Sequence, residues 1–90
     1  MRLVLAVLLF AILSSTRIDA SEAQRMFETA NDFYSKEAYD SAAYYYEKII
    51  TSGTINSTVY YNLGNSYYRL KKTGLARLYY EKALKLSPQD

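Results

Sequence analysis

The 90-residue chain has no cysteine, no histidine and no tryptophan, and only one proline and three glycines. Without cysteine no disulfide can form. Without thiol or imidazole there is no zinc-type metal site and no Cys- or His-based nucleophilic chemistry. A strong charge of one sign is also missing: 11 basic against 9 acidic residues leave +2, which gives no footing for a dedicated nucleic-acid binder. The longest apolar run, Leu3 to Leu13, reaches roughly 16 Å as a helix, about half of a bilayer's hydrocarbon core. What the chain has in abundance is tyrosine, 11 residues, all beyond position 33. The expectation is a non-enzyme with no cofactor and no metal.

Arg2, the run Leu3–Leu13, the polar stretch Ser14-Ser15-Thr16-Arg17 and the small residue Ala20 have the order of a secretory signal peptide. Residues 1–20 are therefore expected to be a signal segment, with Ile18-Asp19-Ala20 as the cleavage site and Ser21 as the mature start. A buried N-terminal helix or an uncleaved anchor are the other readings. On this reading the protein is exported, and periplasmic or membrane-associated if bacterial. A mature chain of about 70 residues is small for an independent core. Its stability has to come from helix packing, a partner or more chain.

A shift of 34 residues aligns segment 23–56 with segment 57–90 without gaps. Asn31 meets Asn65, Tyr34 meets Tyr68, Ala42 meets Ala76, and Tyr45-Tyr46-Glu47-Lys48 meets Tyr79-Tyr80-Glu81-Lys82. Phe33 falls on Tyr67, Phe27 on Tyr61, Ala30 on Gly64 and Ile50 on Leu84. A fixed period of this size marks stacked units. Each unit reads as two helices. The first is expected to open on a capping box, Ser21 with Gln24. Its buried face is expected to carry Met26, Phe27, Ala30, Phe33 and Tyr34 at i, i+3, i+4, i+7 spacing. A break at Ser35-Lys36-Glu37 precedes a helix from Tyr39 to Thr51, capped by Gly53. The second unit repeats the plan, with a helix from about Ser57 to Leu70, a turn at Lys71-Lys72-Thr73-Gly74, a helix to Leu86, and Pro88 closing it.

The second unit, Tyr60-x2-Leu63-Gly64-x2-Tyr67 followed by Ala76-x3-Tyr80, Ala83 and Pro88, resembles the tetratricopeptide repeat. The first unit is a weaker copy, with Thr29-Ala30, Phe33, Ala42 and Tyr46 at the corresponding places and Thr54 where the proline would be. The resemblance implies an all-α fold: two antiparallel helix-turn-helix units, 21–56 and 57–90, stacked as a short right-handed solenoid behind the signal helix. The whole arrangement, with Tyr60-Tyr61-Asn62-Leu63-Gly64-Asn65 and Leu78-Tyr79-Tyr80-Glu81-Lys82-Ala83-Leu84, is similar to the exported repeat proteins of the Bacteroides aerotolerance operon. In that family a membrane helix and often a small SH3-like domain follow. The 90 residues hold neither, so an N-terminal part of a longer membrane-anchored protein is the alternative expectation.

In such repeats the first helices line a concave groove. Phe27, Asn31, Tyr34 and Ser35 are then expected to face it from the first unit, and Tyr61, Asn62, Asn65, Tyr68 and Arg69 from the second. Aromatic rings and asparagine amides suit a protein or peptide partner. Tyr46, Tyr67 and Tyr80 read instead as packing. Asn31 and Asn62 occupy the asparagine positions of a carboxylate clamp, but Phe27 stands where its first lysine belongs, so a chaperone-tail clamp does not fit. Segment 21–56 carries three basic and six acidic residues, and segment 57–90 six basic and two acidic. That asymmetry, with Leu78, Leu84 and Leu86 on the last helix, leaves a homo-oligomer open. Membrane association through the N-terminal segment or a downstream helix is also open. Asn56-Ser57-Thr58 is a glycosylation sequon, relevant only in a eukaryotic secretory pathway.

Overall fold

The computed structural model describes residues 18–88. Most of the expected signal segment, residues 1–17, lies outside them. Among the described residues the chain is all-helical: α1 (Ala20–Ser35), α2 (Tyr39–Thr51), α3 (Ser57–Arg69) and α4 (Thr73–Leu86). Helix α1 packs on α2, α2 on α3, and α3 on α4. The turns Lys36–Ala38 and Leu70–Lys72 are too short for anything but antiparallel hairpins. No helix of the described residues is long and apolar enough to cross a membrane.

The helix starts differ from the expectation in two places. The capping box at Ser21 does not form. Asp19 caps α1 instead, accepting from the Glu22 amide at 2.8 Å and from the Ser21 hydroxyl at 2.8 Å, while Gln24 turns to Glu28. A carboxylate two residues upstream satisfies the same orphan amides and favours the positive helix end. These bonds hold the Asp19 carboxyl below its ordinary value. At the second hairpin, Thr73 and Gly74 belong to α4 rather than to the turn, because Lys72 is the last residue outside the helix. Asn56 caps α3 through its side-chain oxygen, at 2.8 Å from the Thr58 amide and 3.2 Å from the Val59 amide.

The ends of α1, α2 and α3 are built alike. After α2, Gly53 takes φ +98°, and the amides of Gly53 and Thr54 return to the carbonyls of Ile50 and Ile49, a Schellman closure. The two hairpin turns close in the same way without glycine: Glu37 and Lys71, 34 positions apart, both sit at φ 63°. The core runs through Ala30, Ala42, Ala43, Tyr46, Ile49, Val59, Leu63, Tyr67 and Ala76. Small residues sit where helices cross: Ala30 and Ala42 are fully buried, and Gly64 lies against the ring of Tyr80. Ala83 is buried with them, while Pro88 is exposed just beyond α4.

Candidate functional site

The site grows out of one hydrogen bond made twice. The Tyr80 hydroxyl donates to Asn65 Oδ1 at 2.6 Å. Thirty-four residues earlier, Tyr46 donates to Asn31 Oδ1. Each bond ties the second helix of a unit to the first, and each fixes an amide whose nitrogen then points away from the tyrosine. The aromatic pairs repeat as well. Phe27 leans on Tyr46 at 6.1 Å and Tyr61 on Tyr80 at 5.5 Å, while Phe33 stacks on Tyr45 at 5.7 Å and Tyr67 on Tyr79 at 5.8 Å.

Where α1, α2 and α3 meet, Asn31, Tyr34, Tyr46, Asn62 and Asn65 enclose a cleft of about 220 Å³. Four of these five were expected on a shared surface from the repeat register. Tyr46, expected as packing, is 1% exposed and fills the floor. Burial raises its hydroxyl above the ordinary tyrosine value, and the Asn62 amide facing that oxygen works the other way. Asn62 thus stands opposite the Asn31–Tyr46 pair, on the next unit's first helix.

The other expected residues are distributed around this cleft. Tyr68 is 62% exposed and Tyr61 53% exposed, and both lie near the Tyr80 hydroxyl, which burial raises first and these tyrosines raise further. Phe27 is half-buried against Tyr46 and lines a separate cleft at the start of α1. Arg69 is drawn to the edge: its Nη2 donates to the Tyr39 hydroxyl at 2.6 Å, and its guanidinium lies 5.0 Å over the Tyr39 ring. Tyr39 in turn meets Tyr34 edge-on at 5.1 Å, so an aromatic cluster borders the cleft. Ser35 is exposed and donates to the Asp32 carbonyl. The register gave no sign of Tyr39. The tie of Tyr46 to Asn31 had a sequence signal, since both residues recur unchanged at Tyr80 and Asn65.

Behind the cleft a second polar contact joins the units. Tyr67 donates to the Glu47 carboxylate. Burial and that carboxylate push the Tyr67 hydroxyl far above its ordinary value, and they raise Tyr79 in the same direction. Tyr60 is 8% exposed and stacks on Tyr79 at 6.0 Å, which gives a ladder of three rings. These groups hold the helices together and offer no activated nucleophile. Among the described residues no group of three or more carboxylates could hold a metal ion.

Residues 57–90 match the family model of the tetratricopeptide repeat. Repeats of that family generally mediate protein–protein interactions and are typically non-catalytic. No curated protein and no solved structure matches the chain.

Proposed function

We propose that this protein is an exported, non-catalytic interaction module. Its two units, 21–56 and 57–90, stack as a short right-handed solenoid that holds a protein or peptide partner against the first helices α1 and α3. The observation that carries this reading is the neutral cleft between them, built on Asn31, Asn62 and Asn65. The oxygens of Asn31 and Asn65 are occupied by Tyr46 and Tyr80, so these side chains have their Nδ2 hydrogens left to offer. Donors of that kind suit the main-chain carbonyls of an extended segment, and the exposed rings of Tyr61 and Tyr68 add contact area at small rotamer cost. The five residues that line the cleft are all uncharged asparagines and tyrosines.

Export rests on the order Arg2, Leu3–Leu13, Ala20. The kinship with the exported aerotolerance-operon repeat proteins rests on the Tyr60–Asn65 and Leu78–Leu84 segments. Cleavage after Ala20 would remove the Asp19 cap, and Ser21 would then inherit the helix start. The intact mass of the protein from its native cells tests export, with roughly 8 kDa expected for the cleaved form.

Site-specific photo-crosslinking in those cells tests the binding face. A photoreactive residue at Tyr68 is expected to trap a discrete partner that Asn62→Ala abolishes. The same probe at Tyr44, 56% exposed on α2, should trap none. Equal labelling from both positions would refute the assignment of the face.

A further inference from the structure

The last helix carries a surface whose complement lies elsewhere on the same chain. Because Glu47 accepts from Tyr67 of α3, the face of α2 bearing Ala43, Glu47 and Ile50 at i, i+4, i+7 spacing is the one turned to α3. Ala43 is buried there and Ile50 half-buried. The same face of α4, 34 positions on, carries Arg77, Glu81 and Leu84. All three are exposed, and the main packing partner of α4 among the described helices is α3. Beside them opens a cleft of about 590 Å³ lined by Tyr61, Tyr80, Ala83 and Leu84, with Ser57, Thr58 and Ser87 at its rim. Its counterpart in the first unit, about 500 Å³, is edged by Asn56, Thr58 and Val59 at the start of α3. Within the chain, a face of this kind is therefore met by the first helix of the next unit.

Among the described residues there is one other first helix, α1, and its corresponding face is exposed. Helix α3 brings Val59, Leu63, Ser66 and Tyr67 into the core beside α2, all buried. Their counterparts on α1 are Arg25, Thr29, Asp32 and Phe33, and the first three are exposed. Glu28, the counterpart of Asn62, is exposed beside them. Small and apolar positions of the internal seam thus become charged: Arg77, 3.1 Å from Glu81 on its own helix, stands in the place of Ala43, and Asp32, 2.9 Å from Lys36, in the place of Ser66. The wider balance points the same way, with acidic residues in excess on 21–56 and basic residues in excess on 57–90.

We propose that the α4 face receives α1 of a second copy, in the manner in which α2 receives α3. Leu84 and Tyr80 form the apolar centre of the contact. Arg77 faces the partner's Glu28 and Asp32. The two mating surfaces differ, so the contact is heterologous and grows into an open chain of copies rather than closing as a dimer.

Sedimentation velocity on the purified protein, from low to high micromolar concentration at low salt, tests this. The average mass should rise past that of a dimer without a plateau. Either Asp32→Arg or Arg77→Glu should weaken association at least about tenfold while leaving the helical circular dichroism intact. An equimolar mixture of the two variants should associate again, because the new arginine of one copy meets the new glutamate of the other. A monomer at every concentration overturns the proposal, and so do variants that associate like the parent. A mass that stops at a dimer, and falls with Leu84→Glu but not with Asp32→Arg, also overturns it in favour of α4 pairing with α4.

Discussion

Replacing Gly64 probes the close approach of α3 to α4. A Cβ at this position would lie 2.7 Å from both Cδ1 and Cε1 of Tyr80. Carbon atoms sit comfortably near 3.5 Å, so ring and backbone must part by roughly 0.8 Å. The ring is held on two sides, by its 2.6 Å bond to Asn65 and by Tyr61 at 5.5 Å. For Gly64→Ala, overpacking of about 1–3 kcal/mol opposes a gain of about 1 kcal/mol in helix propensity. A net loss of about 1 kcal/mol is expected. The first unit shows that a methyl can be taken: Ala30 is fully buried at the same place, with Tyr46 tied to Asn31 in the same way. That precedent keeps the alanine cost low but gives leucine no room, and Gly64→Leu should lose about 3 kcal/mol or more. Urea denaturation followed by helical circular dichroism reads both. In a Tyr80→Phe background the ring is released, and Gly64→Ala should cost at least about 0.5 kcal/mol less. An unchanged midpoint for Gly64→Leu, or strict additivity with Tyr80→Phe, would refute this account of the crossing.

Glu37 and Lys71 hold left-handed backbone that costs a residue with a Cβ about 1 kcal/mol. Glu37→Gly and Lys71→Gly should therefore each stabilise by about 0.5 kcal/mol once glycine's greater unfolded-state freedom is subtracted, seen as a rise of a few degrees in the melting temperature. Alkaline pH should unfold the protein. Tyr46, Tyr67, Tyr79 and Tyr80 all titrate above their ordinary value of 10. The folded state keeps protons that the unfolded state releases, so their contribution is complete below about pH 10 and is lost as pH rises through the folded values. A pH titration of tyrosinate absorbance should show these hydroxyls ionising late, together with the loss of helicity. Asn31→Ala and Asn65→Ala should each destabilise by about 1 kcal/mol by stranding a tyrosine hydroxyl. Asn62→Ala removes the amide facing the Tyr46 hydroxyl and should cost less than about 1 kcal/mol, acting chiefly on partner capture.

The helices were legible because small and aromatic residues recur at helical spacing and at a fixed 34-residue shift, as Ala42 with Ala76 and Tyr46 with Tyr80. Gly53 announced the end of α2 because glycine is the residue that takes positive φ freely. Glu37 and Lys71 announced nothing, since neither is a residue type that prefers the left-handed region; tertiary closure of each hairpin imposes it. The start of α1 was misplaced because two acceptors, Asp19 and Ser21, stand two residues apart. Pattern alone does not choose between them, whereas a carboxylate at a positive helix end is the stronger partner. At the cleft, the register brought Asn31, Tyr34, Asn62 and Asn65 together. It could not show that Arg69 would be captured by Tyr39, a contact between units that depends on how α3 lies on α2.

Identity between the two units therefore marks chiefly what the fold requires. Asn31 and Asn65, Tyr46 and Tyr80, and Tyr45 and Tyr79 are each spent on the same contact in their own unit. Lys48 and Lys82 both lie over a tyrosine ring, at 5.5 and 5.9 Å. Two identical pairs part company: Glu47 accepts from Tyr67 of the next helix whereas Glu81 pairs with Arg77 on its own helix, and Tyr34 differs from Tyr68. Tyr34 is half-buried against Tyr39, whereas Tyr68 stacks on no other ring among the described residues and stands 62% exposed. A tyrosine retained by the repeat pattern but released from its packing duty is free to meet a partner. Residues that differ between the units, Glu28 against Asn62 and Ser35 against Arg69, lie on the first helices α1 and α3. A partner held there would meet two unlike edges, and its direction along the groove would be set by that difference rather than by the repeated amides.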